Sequence, residues 1–248
     1  MTALVDFVRY NDLPSLEETI SRQVCTDPCL PICNADQTII QAPSVDDTIN
    51  GPIRDLFLNH GANIAFCLYR QHRHHTVGAD EAVVKVEGTA HLMDSQAVKD
   101  IVSFGNKVVP TTWMTSGGKV LPMEFAVIPA GYVVFLYFSS WVLGPLFDFM
   151  TRMTAPVPTA AFCSEFLSVL AENGCEGLFG IDTMAKGAWS EMKIGDASVV
   201  VSSNDSDGYD QDRFIPVAFA FDEEKPKFRV HGKCGTDHKH TSKPPKSK

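Results

Sequence analysis

The stretch Asn63–Met93, NIAFCLYRQHRHHTVGADEAVVKVEGTAHLM, constrains the fold more than any other part of the chain. Ile64, Phe66 and Leu68 alternate with Ala65, Cys67 and Tyr69, the period of a strand with two distinct faces. Carried on through Arg70, that period places His72 and His74 on the face of Ile64, Phe66 and Leu68, with His75 on the other. After Val77-Gly78-Ala79-Asp80 a second strand is expected over Glu81–Met93. Its even positions are small or apolar, and its odd positions include Lys85, Glu87, Thr89 and His91.

These two strands are expected to pair as a hairpin, and its register is open. A two-residue turn at Gly78-Ala79 sets His72 opposite Lys85 and Arg70 opposite Glu87, on a polar face with His91. A loop one residue longer or shorter sets His72 opposite Val84 or Val86 and makes the histidines buried ones.

Other elements are legible from caps and spacing. Ser15-Leu16-Glu17-Glu18 is a capping box for a helix over 14–24. Ile53–Asn59 is helical and ends at Gly61; Asp94 or Ser95 caps a helix through Val102 that stops at Gly105. Lys119–Ile128, with Glu124 among apolar neighbours, and Tyr132–Trp141 read as strands. Thr159 starts a helix with Phe162, Phe166, Val169 and Leu170 on one stripe, and short strands follow to Phe221. The expected architecture is a single α+β domain over 1–224, an antiparallel sheet built on the hairpin with helices packed on one side. Residues 225–248, with eight Lys/Arg against Asp237 alone, are expected as a largely disordered basic tail.

Composition narrows the function. The chain of 248 residues carries a net charge of −9, and an acidic body lacks the basic face that phosphate contacts need, so nucleic acid is not an expected partner. The N-terminus has no apolar run after a basic start, and the seven cysteines are read as reduced thiols, so a cytoplasmic protein is expected. The uncharged stretch 125–147 is long enough to span a bilayer, but Pro129, Gly131 and Pro145 interrupt it. Buried strands are therefore expected there, and no membrane contact.

His72-Arg73-His74 is the leading chemical motif, because HxH on a strand projects both imidazoles to one side, as first-row metals require. The run resembles a degraded cupin motif: His72, His74, Glu81 and Gly88, with Pro129-Ala130-Gly131 similar to the second cupin motif. That resemblance implies His72, His74 and Glu81 as ligands of a divalent metal ion. It departs from the family in the spacing before Glu81 and in Val134, which stands where a ligating histidine belongs.

Three other clusters carry less. Cys25, Cys29 and Cys33 miss the tighter steps of cluster or zinc sites. His231, Cys234, His238 and His240 lack a second pair to close a zinc site. The acidic turn 204–212 has Phe214 where a calcium loop needs a bidentate glutamate.

AFCLYRQHRHH, GLFGIDTMAKGAW and FRVHGKCG together resemble an uncharacterised fungal protein family of similar length. The resemblance implies a fungal, intracellular setting and a place in specialised metabolism. Two hypotheses follow. In the first the chain is a small-molecule enzyme: His72 and His74 act as metal ligands or as general acid and base, Glu124 assists, and Arg70, Lys85 or His91 binds substrate. In the second it is a non-catalytic ligand-binding or interaction domain with structural histidines. The oligomeric state is not legible in the sequence.

Overall fold

The alternating stretch resolves into three strands, not a two-stranded hairpin: β1 (Phe66–Arg70), β2 (Glu81–Val86) and β3 (Thr89–Asp94). The structure, a computed structural model, describes residues 45–74, 77–78, 80–129, 157–185, 187–194, 197–202 and 214–235. The helix expected over 14–24, Cys25, Cys29 and Cys33, His75, the strand expected over 132–141, Ala130-Gly131, Val134, the acidic turn 204–212, His238 and His240 lie outside them.

The strand expected over Glu81–Met93 folds back on itself at Glu87-Gly88. Both residues have positive φ, 49° and 82°, the backbone of a tight turn that matches the twist of the flanking strands. β2 and β3 therefore pair with each other, from Val86↔Thr89 to Glu81↔Asp94. β1 pairs instead with β6 (Phe179–Thr183) and β9 (Phe214–Ala220). Neither expected register exists, because the two strands of the expected hairpin are not neighbours.

The remaining strands are β4 (Lys107–Ser116), β5 (Lys119–Ile128), β7 (Trp189–Ile194), β8 (Ala197–Ser202) and β10 (Arg229–Gly235). Ten strands in the order β1-β6-β4-β5-β2-β3-β8-β7-β10-β9 form a closed barrel, sealed where Leu68 and Tyr69 of β1 meet Phe219 and Ala218 of β9. This overturns the expected α+β sheet with helices on one side. Every residue of β1 is buried; a one-sided open sheet would leave one face to water, whereas closure removes both free edges. The barrel's last strand, β10, lies beyond residue 224, inside the stretch expected as tail.

Residues paired across a sheet share a face, so the ladders define the interior. Cys67, Tyr69, Val83, Ala90, Met114, Ala218 and Cys234 belong to one buried cluster that contains no helical residue. The alternate residues Phe66, Leu68, Trp113, Ile181 and Phe219 form a second cluster, packed outside the barrel on Ile53, Leu56 and Phe57 and on the helix Ala160–Glu172. Phe162, Phe166 and Leu170 of that helix are buried as its stripe predicts, and Thr159 caps it by accepting from the Phe162 N–H. A third cluster covers the outer face of β2 and β5 with Val98 of the helix Ser95–Ser103; the Asp94 side chain caps this helix at the Ala97 N–H. Among the described residues no helix is long and apolar enough to cross a membrane.

Candidate functional site

Beside its apolar cluster the barrel interior carries a buried polar constellation. It begins where β1 ends. Gln71 is 1% exposed and continues the strand's contacts by other means: its N–H donates to Leu178 O at 2.9 Å, its Nε2 donates to Thr115 O at 3.3 Å, and its Oε1 accepts from the Thr115 N–H. Anchored so, the chain turns inward at His72 instead of continuing the alternation of β1. His72 stacks on Tyr69, an interior residue, with ring centroids 5.3 Å apart. Ile64, expected on its face, is 78% exposed in a short 3-10 turn.

His72 is wholly buried and His74 nearly so, and their ring centroids are 4.6 Å apart. The His72 Nδ1 lies 2.8 Å from the Arg70 carbonyl oxygen. A carbonyl only accepts, so Nδ1 carries the proton and Nε2 holds a lone pair. That Nε2 is buried and has no hydrogen-bond partner among the described residues. Burial lowers the His72 pKa to about 3, with the neighbouring His74 acting in the same direction, so the ring is neutral at physiological pH.

Cys234 of β10 completes a triangle. One ligand atom from each of His72, His74 and Cys234 lies within 4.8 Å of the other two, and the Cys234 Sγ is 3.7 Å from His74 Nε2. Glu191 of β7, paired in register with Cys234, brings Oε2 to 3.6 Å from the same nitrogen. Burial, then the charges of Glu191 and Glu124, push the Cys234 thiol well above its usual range.

On the facing wall, Lys85 Nζ and Glu124 Oε2 form an ion pair of 2.7 Å with both side chains almost fully buried. Burial works to raise the Glu124 pKa, but the Lys85 charge and hydrogen bond, helped by His74 and His72, outweigh it and hold the carboxyl below its usual range. Thr112 of β4 donates to Asp182 Oδ1 at 2.9 Å and lies 3.4 Å from Glu124 Oε2. The interior thus holds Lys85, Glu124, Asp182 and Glu191 beside the two imidazoles and the thiol.

The residues singled out in the sequence separate into two groups. His72, His74, Lys85 and Glu124 meet inside the barrel. Arg70 does not join them: its guanidinium sits 5.8 Å from the Phe219 ring centroid, on the outer wall, where burial lowers its pKa and Asp46 opposes that shift. His91 is exposed, paired in register with Val84, whose side chain packs outside the barrel. Glu81, expected as a metal ligand, turns back to accept from the Gly78 N–H at 2.7 Å and caps the preceding loop. His231, considered beside Cys234 in the sequence, has its Nδ1 3.0 Å from Arg229 instead.

Glu191 was missed and Cys234 was assigned to a tail. The signal for Glu191 is the one that marked Glu124, a carboxylate embedded in a strand-forming run, here Trp-Ser-Glu-Met-Lys-Ile. No protein family, curated protein or solved structure matches the chain.

Proposed function

We propose that the protein is a metal-dependent enzyme acting on a small molecule inside the barrel, with His72, His74 and Cys234 as ligands of a single divalent cation of the zinc type. The observation that carries this reading is the wholly buried His72, whose tautomer is set by the Arg70 carbonyl and which offers a ligand atom within 4.8 Å of those of His74 and Cys234. Metal-ligating histidines are held in this way, one nitrogen donating to a carbonyl and the other facing the ion. Zinc holds nitrogen at ~2.1 Å and thiolate sulfur at ~2.3 Å, so its ligand atoms lie roughly 3.5 Å apart; the edge from Cys234 Sγ to His74 Nε2, 3.7 Å, is close to that, and the three ligand atoms lie within 4.8 Å of one another. Two imidazoles and a thiol favour a borderline cation over magnesium or calcium.

A cysteine–histidine nucleophilic pair fits less well. In such a site the thiol and the orienting carboxylate use opposite ring nitrogens, whereas Cys234 Sγ lies 3.7 Å from His74 Nε2, the nitrogen that Glu191 approaches, and 3.9 Å from Nδ1. The thiol is also pushed towards its protonated, unreactive form.

A cation at this point supplies Lewis-acid polarisation of a bound oxygen. The chain supplies the rest: Glu191 stands against His74 as an acceptor for a proton, and the Lys85–Glu124 pair offers an ammonium donor and an ionised carboxylate. The four described cysteines form no disulfide with one another, which supports action in the reducing cytoplasm, and the enclosed position of the site supports a small molecule, not nucleic acid, as partner.

The test is metal analysis of the purified full-length protein after zinc loading and desalting. Wild type is expected to retain one equivalent, and His72→Ala/His74→Ala and Cys234→Ser to retain a small fraction of it. A wild-type protein that holds no stoichiometric metal sinks the reading.

A further inference from the structure

Gln71 stands between the end of β1 and the first histidine, and its carboxamide carries the same groups as a peptide unit, a carbonyl acceptor and an N–H donor. The barrel uses it as one. The ladder between β4 and β6 runs over Thr112↔Asp182 and Trp113↔Ile181. Further along β4, the Gln71 side chain meets the main chain of Thr115, its Oε1 accepting from the N–H and its Nε2 donating to the carbonyl oxygen at 3.3 Å. Both bonds require the same orientation of the amide.

Gly180 makes this crossing possible. It lies on β6 opposite Tyr69, and a Cβ built there would press on the Trp113 carbonyl oxygen and stand 3.1 Å from the Gln71 Oε1. The Gln71 main chain is held as well, donating to Leu178 O at 2.9 Å and so carrying the contact of β1 with β6 one residue past Arg70↔Phe179. Thr115 Oγ1 donates to Phe179 O at 2.8 Å and ties β4 to β6 at the same level. These bonds surround Arg70, whose carbonyl accepts from the His72 Nδ1–H and sets that ring's tautomer.

Resting on the metal reading above, we propose that Gln71 is a positioning residue of the centre: by pairing its side chain with the Thr115 main chain as a strand residue would, it fixes the exit from β1 in the orientation that brings both His72 and His74 to Cys234. Ligands keep their geometry through residues that lock the segment carrying them, and loss of such support weakens metal binding by about 10–100-fold. Gln71 is one residue from His72 and three from His74, so a swing of the chain at this point displaces both imidazoles together.

The experiment compares the full-length wild type with Gln71→Met, Gln71→Glu and Val98→Ala. The first keeps the length of the side chain and removes both bonds to Thr115; the second keeps the acceptor for the Thr115 N–H. Val98→Ala loosens the outer cluster over β2 and β5 and measures the effect of lowered stability alone. Titration with cobalt(II) is expected to show about 10–100-fold weaker binding and an altered thiolate-to-metal band in Gln71→Met, a loss of about threefold in Gln71→Glu, and the wild-type affinity and band in Val98→Ala. In the metal-free protein, imidazole nitrogen NMR, with His72 assigned by difference from His72→Asn, is expected to show a single Nδ1–H tautomer in wild type and an average of the two tautomers in Gln71→Met. Wild-type cobalt affinity in Gln71→Met, unchanged His72 signals in that variant, or an equal loss of affinity in Val98→Ala each overturns the positioning role. A wild type that binds no cobalt counts against the metal reading instead, and the His72 signals then decide the role of Gln71.

Discussion

Lys85 Nζ and Glu124 Oε2 lie 2.7 Å apart on adjacent parallel strands, each side chain almost entirely out of water. Removing two charges from water can cost more than their attraction returns, so the intact pair is weak evidence for stability. Breaking it is another matter. Lys85→Met strands an uncompensated carboxylate and is expected to cost about 3–5 kcal/mol, read from urea denaturation. Lys85→Met/Glu124→Gln should recover most of that loss; a double variant as unstable as the single one would show that packing, not charge, dominates.

The metal-free protein should lose stability in acid. The sign follows from His72, whose pKa is lowered to about 3 from 6.5. Between those values the unfolded chain binds a proton and the folded chain does not. The His72 contribution is fully present above pH 6.5 and declines progressively as pH falls towards 3, by up to about 5 kcal/mol in all. Glu124, also held low, adds a decline in the same direction below the ordinary carboxylate range. Denaturation midpoints at a series of pH values test this, with His72→Asn expected to flatten the upper part of the profile.

Glu87 has a φ of 49° in the turn between β2 and β3. A long side chain is disfavoured in that region, where asparagine is tolerated. Glu87→Asn is expected to stabilise the protein by about 0.5–1 kcal/mol, raising the melting temperature without changing metal binding.

Gly180 lies opposite Tyr69, and a Cβ placed on it would come within 2.2 Å of the Trp113 carbonyl oxygen. Backbone on a central ladder cannot yield as a flexible side chain does. Gly180→Ala is expected to destabilise by about 2–3 kcal/mol, with a lower denaturation midpoint as the readout. Gly61→Ala is the comparison for backbone freedom alone, since among the described residues no atom beyond its chain neighbours lies within 4 Å of its Cβ position and its positive φ resists the change.

What the amino-acid sequence determined by itself is local. The caps at Asp94 and Thr159, the Phe162–Phe166–Leu170 stripe and the strand Lys119–Ile128 are set by neighbouring residues, and the structure holds each of them. That His72, His74 and Glu124 need polar partners was legible too, because they are embedded in strand-forming runs.

Tertiary structure alone decided the partners. β1 meets β6 and β9 more than a hundred positions further along the chain, and no periodicity encodes a pairing at that distance. Period two reports that a strand has two faces; it does not report whether the second face looks at water or at the inside of a closed barrel. For that reason an open one-sided sheet was the natural expectation, and Cys234 and Glu191 were not connected to His72. They become neighbours because closure brings β10 and β7 around to the segment after β1, and only then do these three separate stretches of chain share one buried cluster.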